Sequence, residues 1–164
     1  MLGWSGRRRG PPACALQGDP RLSAADHPRT KAARPPIARL GERGEPIIRA
    51  APMPSDVNAN GDIFGGWVLA QMDIAGGIIA AARAGGRVVT VAVNAMTFHQ
   101  PIRVGDLVSI YGRVERVGRT SLTIVLETLV IRRLEPKEIR VTEGTFVYVA
   151  IDEAGQPRPV PAAE

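Results

Sequence analysis

Chemistry built on sulfur, imidazole or stacked aromatic rings has little material in this chain: its 164 residues include one cysteine, two histidines, two tryptophans, two tyrosines and three phenylalanines. The lone Cys14 can close no intramolecular disulfide, so disulfide scaffolds, cysteine-ligated zinc and a cysteine nucleophile in the folded part are excluded together. A single thiol accords with a reducing compartment, and a cytoplasmic location is expected. His27 and His99 lie far apart, which argues against a histidine-rich metal site. Neither a metal nor an organic cofactor is expected. No stretch of about 18 consecutive apolar residues occurs, so no membrane span is expected, and the apolar region of a secretory signal is missing.

Charge is unevenly distributed. Residues 1–45 carry nine Lys and Arg against four Asp and Glu, whereas residues 46–164 carry twelve of each, so the formal net charge of +5 belongs to the first segment. That segment is rich in Arg, Pro, Ala and Gly, lacks apolar periodicity, and has little surface with which to offset chain entropy. It reads as a disordered extension. An Arg-rich arm could bind nucleic acid or direct targeting, but its charges are scattered and its prolines frequent, which favours a solvated segment. The remainder is neutral and does not interleave basic with aromatic residues, so nucleic-acid binding is not expected.

From Pro46 the pattern becomes regular. Ile47 to Ala50 reads as a short strand ended by Pro52 and Pro54, and Ser55 to Gly66 is a loop dense in Asn, Asp and Gly. Trp67 to Arg83 is made of helix formers and is apolar nearly all round, with only Gln71 and Asp73 interrupting it. Such a helix has to be covered on most sides, and a curved sheet is the natural cover. Arg87 to Ala95, Leu107 to Val117, Ser121 to Arg133 and Glu138 to Ile151 read as strands, with Val89, Val91 and Val93 expected on one face of the first. Short connections between consecutive strands imply antiparallel pairing. The expectation is one α+β domain at residues 46–158, with a long central helix wrapped by a curved antiparallel sheet, and a C-terminal tail at 159–164.

Several collinear strings carry a family resemblance: N-x-N-G-D-I-F-G-G-W from Asn58 to Trp67, A-Q-M-D-I from Ala70, R-V-V-T-V from Arg87, M-T-F from Met96, P-I-R-V-G-D from Pro101 and V-G-R-T-S from Val117. Together they resemble the YciA-like acyl-CoA thioesterases. The resemblance implies a hotdog fold, hydrolysis of acyl-CoA to free acid and CoA-SH, and a homodimer assembling into a hexamer as a trimer of dimers.

Thioester hydrolysis needs a group to activate water or attack the carbonyl, donors for the oxyanion, and a cleft for acyl-pantetheine. Asp62 meets the first need. It precedes the Gly65-Gly66-Trp67 turn that opens a helix, where exposed amides and the positive end of the dipole can hold a developing oxyanion. By resemblance Asp62 occupies the catalytic position and Gly65 and Gly66 the glycine pair. On the loop alone, a helix cap is the favoured reading of Asp62, and it is the family resemblance that turns the reading to catalysis. Asn58 and Asn60 could position water or substrate, or serve only for their tolerance of turns. Asp73, about three helical turns further on, reads as an orienting or structural acid. His99 reads as a surface or interface residue beside Pro101.

For CoA, Arg87, Arg116, Arg119, Arg132 and Arg133 are available cations, and Arg119-Thr120-Ser121 is the turn best suited to grip a pyrophosphate. Thr90, Val91 and Asn94 line the pantetheine arm by resemblance, with Trp67 at the head of the helix. A hotdog hydratase would need an Asp and His pair acting together, and a non-catalytic acyl-CoA sensor would use the same cleft without turnover.

Overall fold

The computed structural model describes residues 44–133 and 135–162; the proposed extension, apart from Gly44 and Glu45, lies outside them together with Cys14 and His27. Strand β1 (Ile48–Ala50) leads through a 3-10 turn at Pro54–Asp56 into helix α1 (Gly65–Ala84), and β2 (Val88–Phe98), β3 (Leu107–Val117), β4 (Ser121–Arg132) and β5 (Glu135–Ala150) follow.

The five strands form one antiparallel sheet in the order β1-β3-β4-β5-β2. Consecutive pairing holds from β3 to β5 but not between β2 and β3. The segment joining those two contains Pro101, and the Ile102 carbonyl accepts the Ile63 amide at 2.9 Å. The connection is thereby tied to the loop before the helix, and β2 crosses to the far edge to pair with β5.

β2 also departs from simple alternation. Thr90 and Ala92 pair with the adjacent Tyr148 and Val147, and Val93 and Ala95 with the adjacent Phe146 and Thr145, leaving Val91 and Asn94 as extra residues. Each is a bulge, and the first switches the strand's faces. Val89 stands opposite Val149 and Val93 opposite Phe146, so these two valines lie on opposite faces rather than the single face expected.

Helix α1 covers one side of the sheet. It buries Val68, Met72, Ala75, Gly76, Ala80 and Ala84 against alternate residues of β4, among them Leu122, Ile124 and Leu126, and against Phe146 and Tyr148 of β5. Its length and apolar character would suffice to cross a membrane, but this buried stripe lies on the sheet. Gly76 sets the spacing, because a Cβ there would overlap the Tyr148 hydroxyl and approach its ring carbons to about 3 Å. The helix ends at Gly85, whose φ of 63° is left-handed, while the Gly85 and Gly86 amides close on Ala82 and Ala81. Arg158 completes that end by donating from Nη2 to the Ala84 carbonyl at 2.9 Å. The segment carrying Arg158 is held by bonds from the Arg158 amide to Ala150 and from the Val160 amide to Arg119.

The helix glycines give a paired test by chemical denaturation. Gly76→Ala is expected to cost about 1–3 kcal/mol through overpacking. At Gly77 a Cβ would meet Tyr148 only at 3.9 Å, and Gly77→Ala is expected to be neutral or to gain about 0.5–1 kcal/mol from helix propensity. Equal costs at the two positions would contradict this account of the packing.

Candidate active site

Asn58 organises the loop that carries Asp62. Its Oδ1 accepts the Asn60 amide at 2.8 Å and the Asp62 amide at 3.3 Å, while its own amide donates to the Asp62 carbonyl at 2.7 Å. A bridge between Val57 and Ile63 closes the neck, and the Phe64 amide reaches back to Asp56 at 2.8 Å. Asn58 thus spends its side-chain oxygen on the backbone. Asn60 is exposed at the tip.

The helix cap is Phe64, in extended conformation and with no side-chain bond. Asp62 is therefore not the cap. Its half-buried carboxylate makes no hydrogen bond or ion pair with another described residue. Within the helix only Trp67 and Val68 of the first turn find an acceptor, the Phe64 carbonyl, at 2.9 and 3.5 Å. The amides of Gly65 and Gly66 have none among the described residues, the usual condition of a helix start without a side-chain cap.

A cavity of about 340 Å³ opens here, and Asp62, Asn58 and Gly65 line it. Ile63, Val68, Phe98 and Ile102 supply its apolar wall, and His99, Gln100 and Thr142 a polar one. His99, read from the sequence as a surface or interface residue, is exposed and also borders this cavity, because the bond between the two loops carries the end of β2 to the Asp62 side. Its Nε2 lies 3.2 Å from Glu143 Oε1, and Glu143 is in turn held by Arg140 at 3.0 Å. A hydratase would need an Asp and His pair, and the Asp62-Ile63-Phe64-Gly65-Gly66 string has no histidine beside it in sequence, but the fold brings His99 to the same cavity as Asp62.

Gly66 faces elsewhere, onto a second cavity of about 330 Å³ that it lines with Leu69, Asp73, Thr90, Val93 and Phe146. Asp73 Oδ1 accepts the Thr90 hydroxyl at 2.6 Å and the Tyr148 hydroxyl at 3.2 Å, and Tyr148 also donates to the Asp73 carbonyl at 3.0 Å. Burial, then the charge and hydrogen bond of Asp73, push the Tyr148 phenol well above its ordinary value. Leu69, Ile74 and Ile78 of α1 and Val91 and Val93 of β2 are exposed apolar residues, and Val89 is exposed on the opposite face of the sheet from Val93. Asn94, at the second bulge, is exposed, and Trp67 packs partly buried against the core.

The sequence candidates for CoA phosphates are not gathered at Asp62. Ser121 pairs with Val149, and the stretch of β5 from Thr142 to Val149 spans roughly 23 Å at about 3.3 Å per residue. The Arg119-Thr120-Ser121 turn is thus at the other end of the sheet from the Asp62 cavity. Arg87 is engaged by Asp152 and Glu153, and Arg132 by the Pro101 carbonyl. Arg116 and Arg133 are exposed. Among the described residues no group of three or more His, Cys, Asp or Glu could hold a metal ion.

Comparison with known proteins settles the lineage. Residues 60–129 match the thioesterase superfamily. The acyl-CoA thioester hydrolase YciA of Salmonella typhimurium is 50% identical over 122 residues, covering 73% of this chain and 92% of the relative. This chain belongs to the YciA-like acyl-CoA thioester hydrolase family. Solved structures agree: a hexameric thioesterase from Yersinia pestis superposes with a TM-score of 0.70 at 50% identity, over 73% of this chain and 98% of that one. A hexameric hotdog fold thioesterase of Campylobacter jejuni does so at 0.70 and 36%, over 73% and 92%. The helix and five-stranded sheet are a hotdog fold, as the sequence strings implied.

Two measurements check this family member's local structure. Asn58→Ala removes the acceptor for two loop amides and is expected to cost about 1–2 kcal/mol, with faster proteolysis between residues 58 and 62, while Asn58→Asp restores both. No change in melting or cleavage would show that the loop is held otherwise. Tyr148 bears on pH. Its folded-state pKa is raised, so its contribution to stability is complete below the ordinary tyrosine value near 10 and is lost as pH rises above it. Stability should fall in alkali, and less steeply for Tyr148→Phe than for the native chain; parallel curves would contradict the assignment.

Proposed function

We propose that the protein hydrolyses acyl-CoA thioesters to free acid and CoA-SH, with Asp62 as the group that drives the reaction. The supporting observation is the unpartnered Asp62 carboxylate in a cavity beside a helix start whose Gly65 and Gly66 amides are unsatisfied. Family membership supports the reaction class.

In the general-base route the Asp62 carboxylate takes a proton from water, and the oxygen attacks the thioester carbonyl. Charge develops on the carbonyl oxygen, where the helix amides can stabilise it. Collapse breaks the C–S bond, and the departing thiolate takes up a proton. In the nucleophilic route the carboxylate itself attacks, giving a mixed anhydride that water cleaves. Asn58 holds the loop, and Asp73 and Thr90 act as a polar anchor for the substrate at the second cavity, beside Val91 and Asn94. Water and the chain's own groups suffice, so no metal or organic cofactor enters.

The exposed apolar face of α1 and β2 is the surface for assembly into a homo-oligomer, since contiguous patches of this kind are uncommon on monomers. The Yersinia and Campylobacter structures are hexameric. Assembly would also bring a neighbouring Arg119-Thr120-Ser121 turn to a cavity that this chain's own turn does not reach. The setting that fits these features is cytoplasmic.

The test follows CoA-SH release from acyl-CoA by the native protein and by Asp62→Asn. Loss of activity by roughly 100- to 10,000-fold in a folded variant is expected; retention would end the assignment. Single turnover in ¹⁸O-water identifies the nucleophilic route when label enters the Asp62 carboxylate, which requires an anhydride cleaved by water at the Asp62 carbonyl carbon.

A further inference from the structure

The cavity beside Asp62 is not a plain hydrocarbon slot. Thr142 lines it although only 1% of that residue is exposed, and its hydroxyl bonds to no described residue. Thr128, its cross-strand partner, is fully buried and its hydroxyl is likewise unbonded. Buried hydroxyls without partners are destabilising. In a cavity wall, such a group gains its partner when a ligand arrives.

The rim repeats the theme. His99 is oriented by Glu143 through Nε2, which leaves Nδ1 unbonded to any described residue, and the Gln100 side-chain amide is equally unengaged. Residues bearing an imidazole, an amide and a hydroxyl therefore stand among the apolar lining residues Val68, Phe98 and Ile102. The buried lining residues Ile63, Val68, Ile102 and Thr142 suit the part of a substrate that ends inside the protein. For a thioester of CoA that part is the acyl chain, since the pantetheine arm continues outward to charged phosphates.

We propose that this polar wall reads the acyl group, so that the site prefers acyl-CoAs carrying a hydroxyl or keto oxygen a few carbons from the thioester over unsubstituted chains. His99, Gln100 and Thr142 are its specificity-determining residues. The inference rests on the thioesterase reading above and narrows its substrate class. Sites that hydrogen-bond a substrate oxygen discriminate against the analogue lacking it, because the protein's own polar groups are then left unpaired.

The experiment compares CoA-SH release from 3-hydroxybutyryl-CoA and butyryl-CoA. The native protein is expected to favour the hydroxyacyl substrate by roughly tenfold or more in kcat/KM. His99→Leu and Thr142→Val should bring the ratio down towards one while butyryl-CoA is still hydrolysed. Equal rates, a preference for butyryl-CoA, or a ratio unchanged in both variants would overturn the proposal. N-acetylcysteamine thioesters of the same two acids exclude a role for the pantetheine arm: a preserved ratio supports acyl recognition, and a ratio that collapses overturns it. Calorimetric binding of the corresponding non-hydrolysable thioethers separates the two readings. If neither CoA ester is cleaved, the hydrolase assignment fails, while tighter binding of the hydroxylated thioether still supports the polar wall and equal binding rejects it.

Discussion

How closely helix α1 can approach the sheet governs the remainder of the molecule. The limit is set where Gly76 leaves room for the Tyr148 ring, so that the phenol reaches the helix backbone and its proton is shared between two oxygens of Asp73. A side chain at Gly76 would move the helix outward. That movement would loosen Met72 and Ala80 on the same face and detach Thr90 from Asp73. A polar contact is thereby fixed by packing, and the packing is kept in register by the polar contact, which is how buried hydrogen bonds confer uniqueness on an otherwise apolar core.

With the helix fixed, its two ends are treated differently. At the C-terminal end the exposed carbonyls are met by Gly85 and Gly86 from the backbone and by the Arg158 guanidinium, so the negative pole is satisfied within the chain. At the N-terminal end Phe64 provides no cap, and of the two leading residues Gly65 lines the cavity that Asp62 also lines, while Gly66 lines the second. An uncompensated positive pole is where an anion is most readily held. The loop from Asp56 to Phe64 then sets where the carboxylate stands, through bonds that all converge on Asn58 and the loop's own backbone.

Much of this was legible in the residue pattern, for local reasons. The alternation of Leu122, Ile124 and Leu126 sets a strand face, and the largely apolar run ending at Gly85 sets a helix and its stop. The limits of β3 follow from its sequence alone, and the D-I-F-G-G string located Asp62 at a helix entrance. What escaped depends on contacts between distant segments. The partner of β2 is β5, and the bulges at Val91 and Asn94 arise only in that pairing. His99 reaches the Asp62 cavity because Ile63 bonds to Ile102, a contact that neither loop's composition reveals. The separation of the Arg119 turn from Asp62 is likewise a property of strand register, invisible until β4 and β5 are laid side by side.

The crossing of β2 to the far edge has a kinetic consequence. Val88 pairs with Ala150, roughly sixty residues later, so a large loop must close before this strand gains any ladder bond, and folds dominated by such distant pairings form slowly. During synthesis the apolar helix and β2 emerge well before the strand that shelters them. The nascent chain therefore passes through an interval with a sticky surface and an open strand edge, when capture by a chaperone or by another nascent copy competes with completion of the sheet.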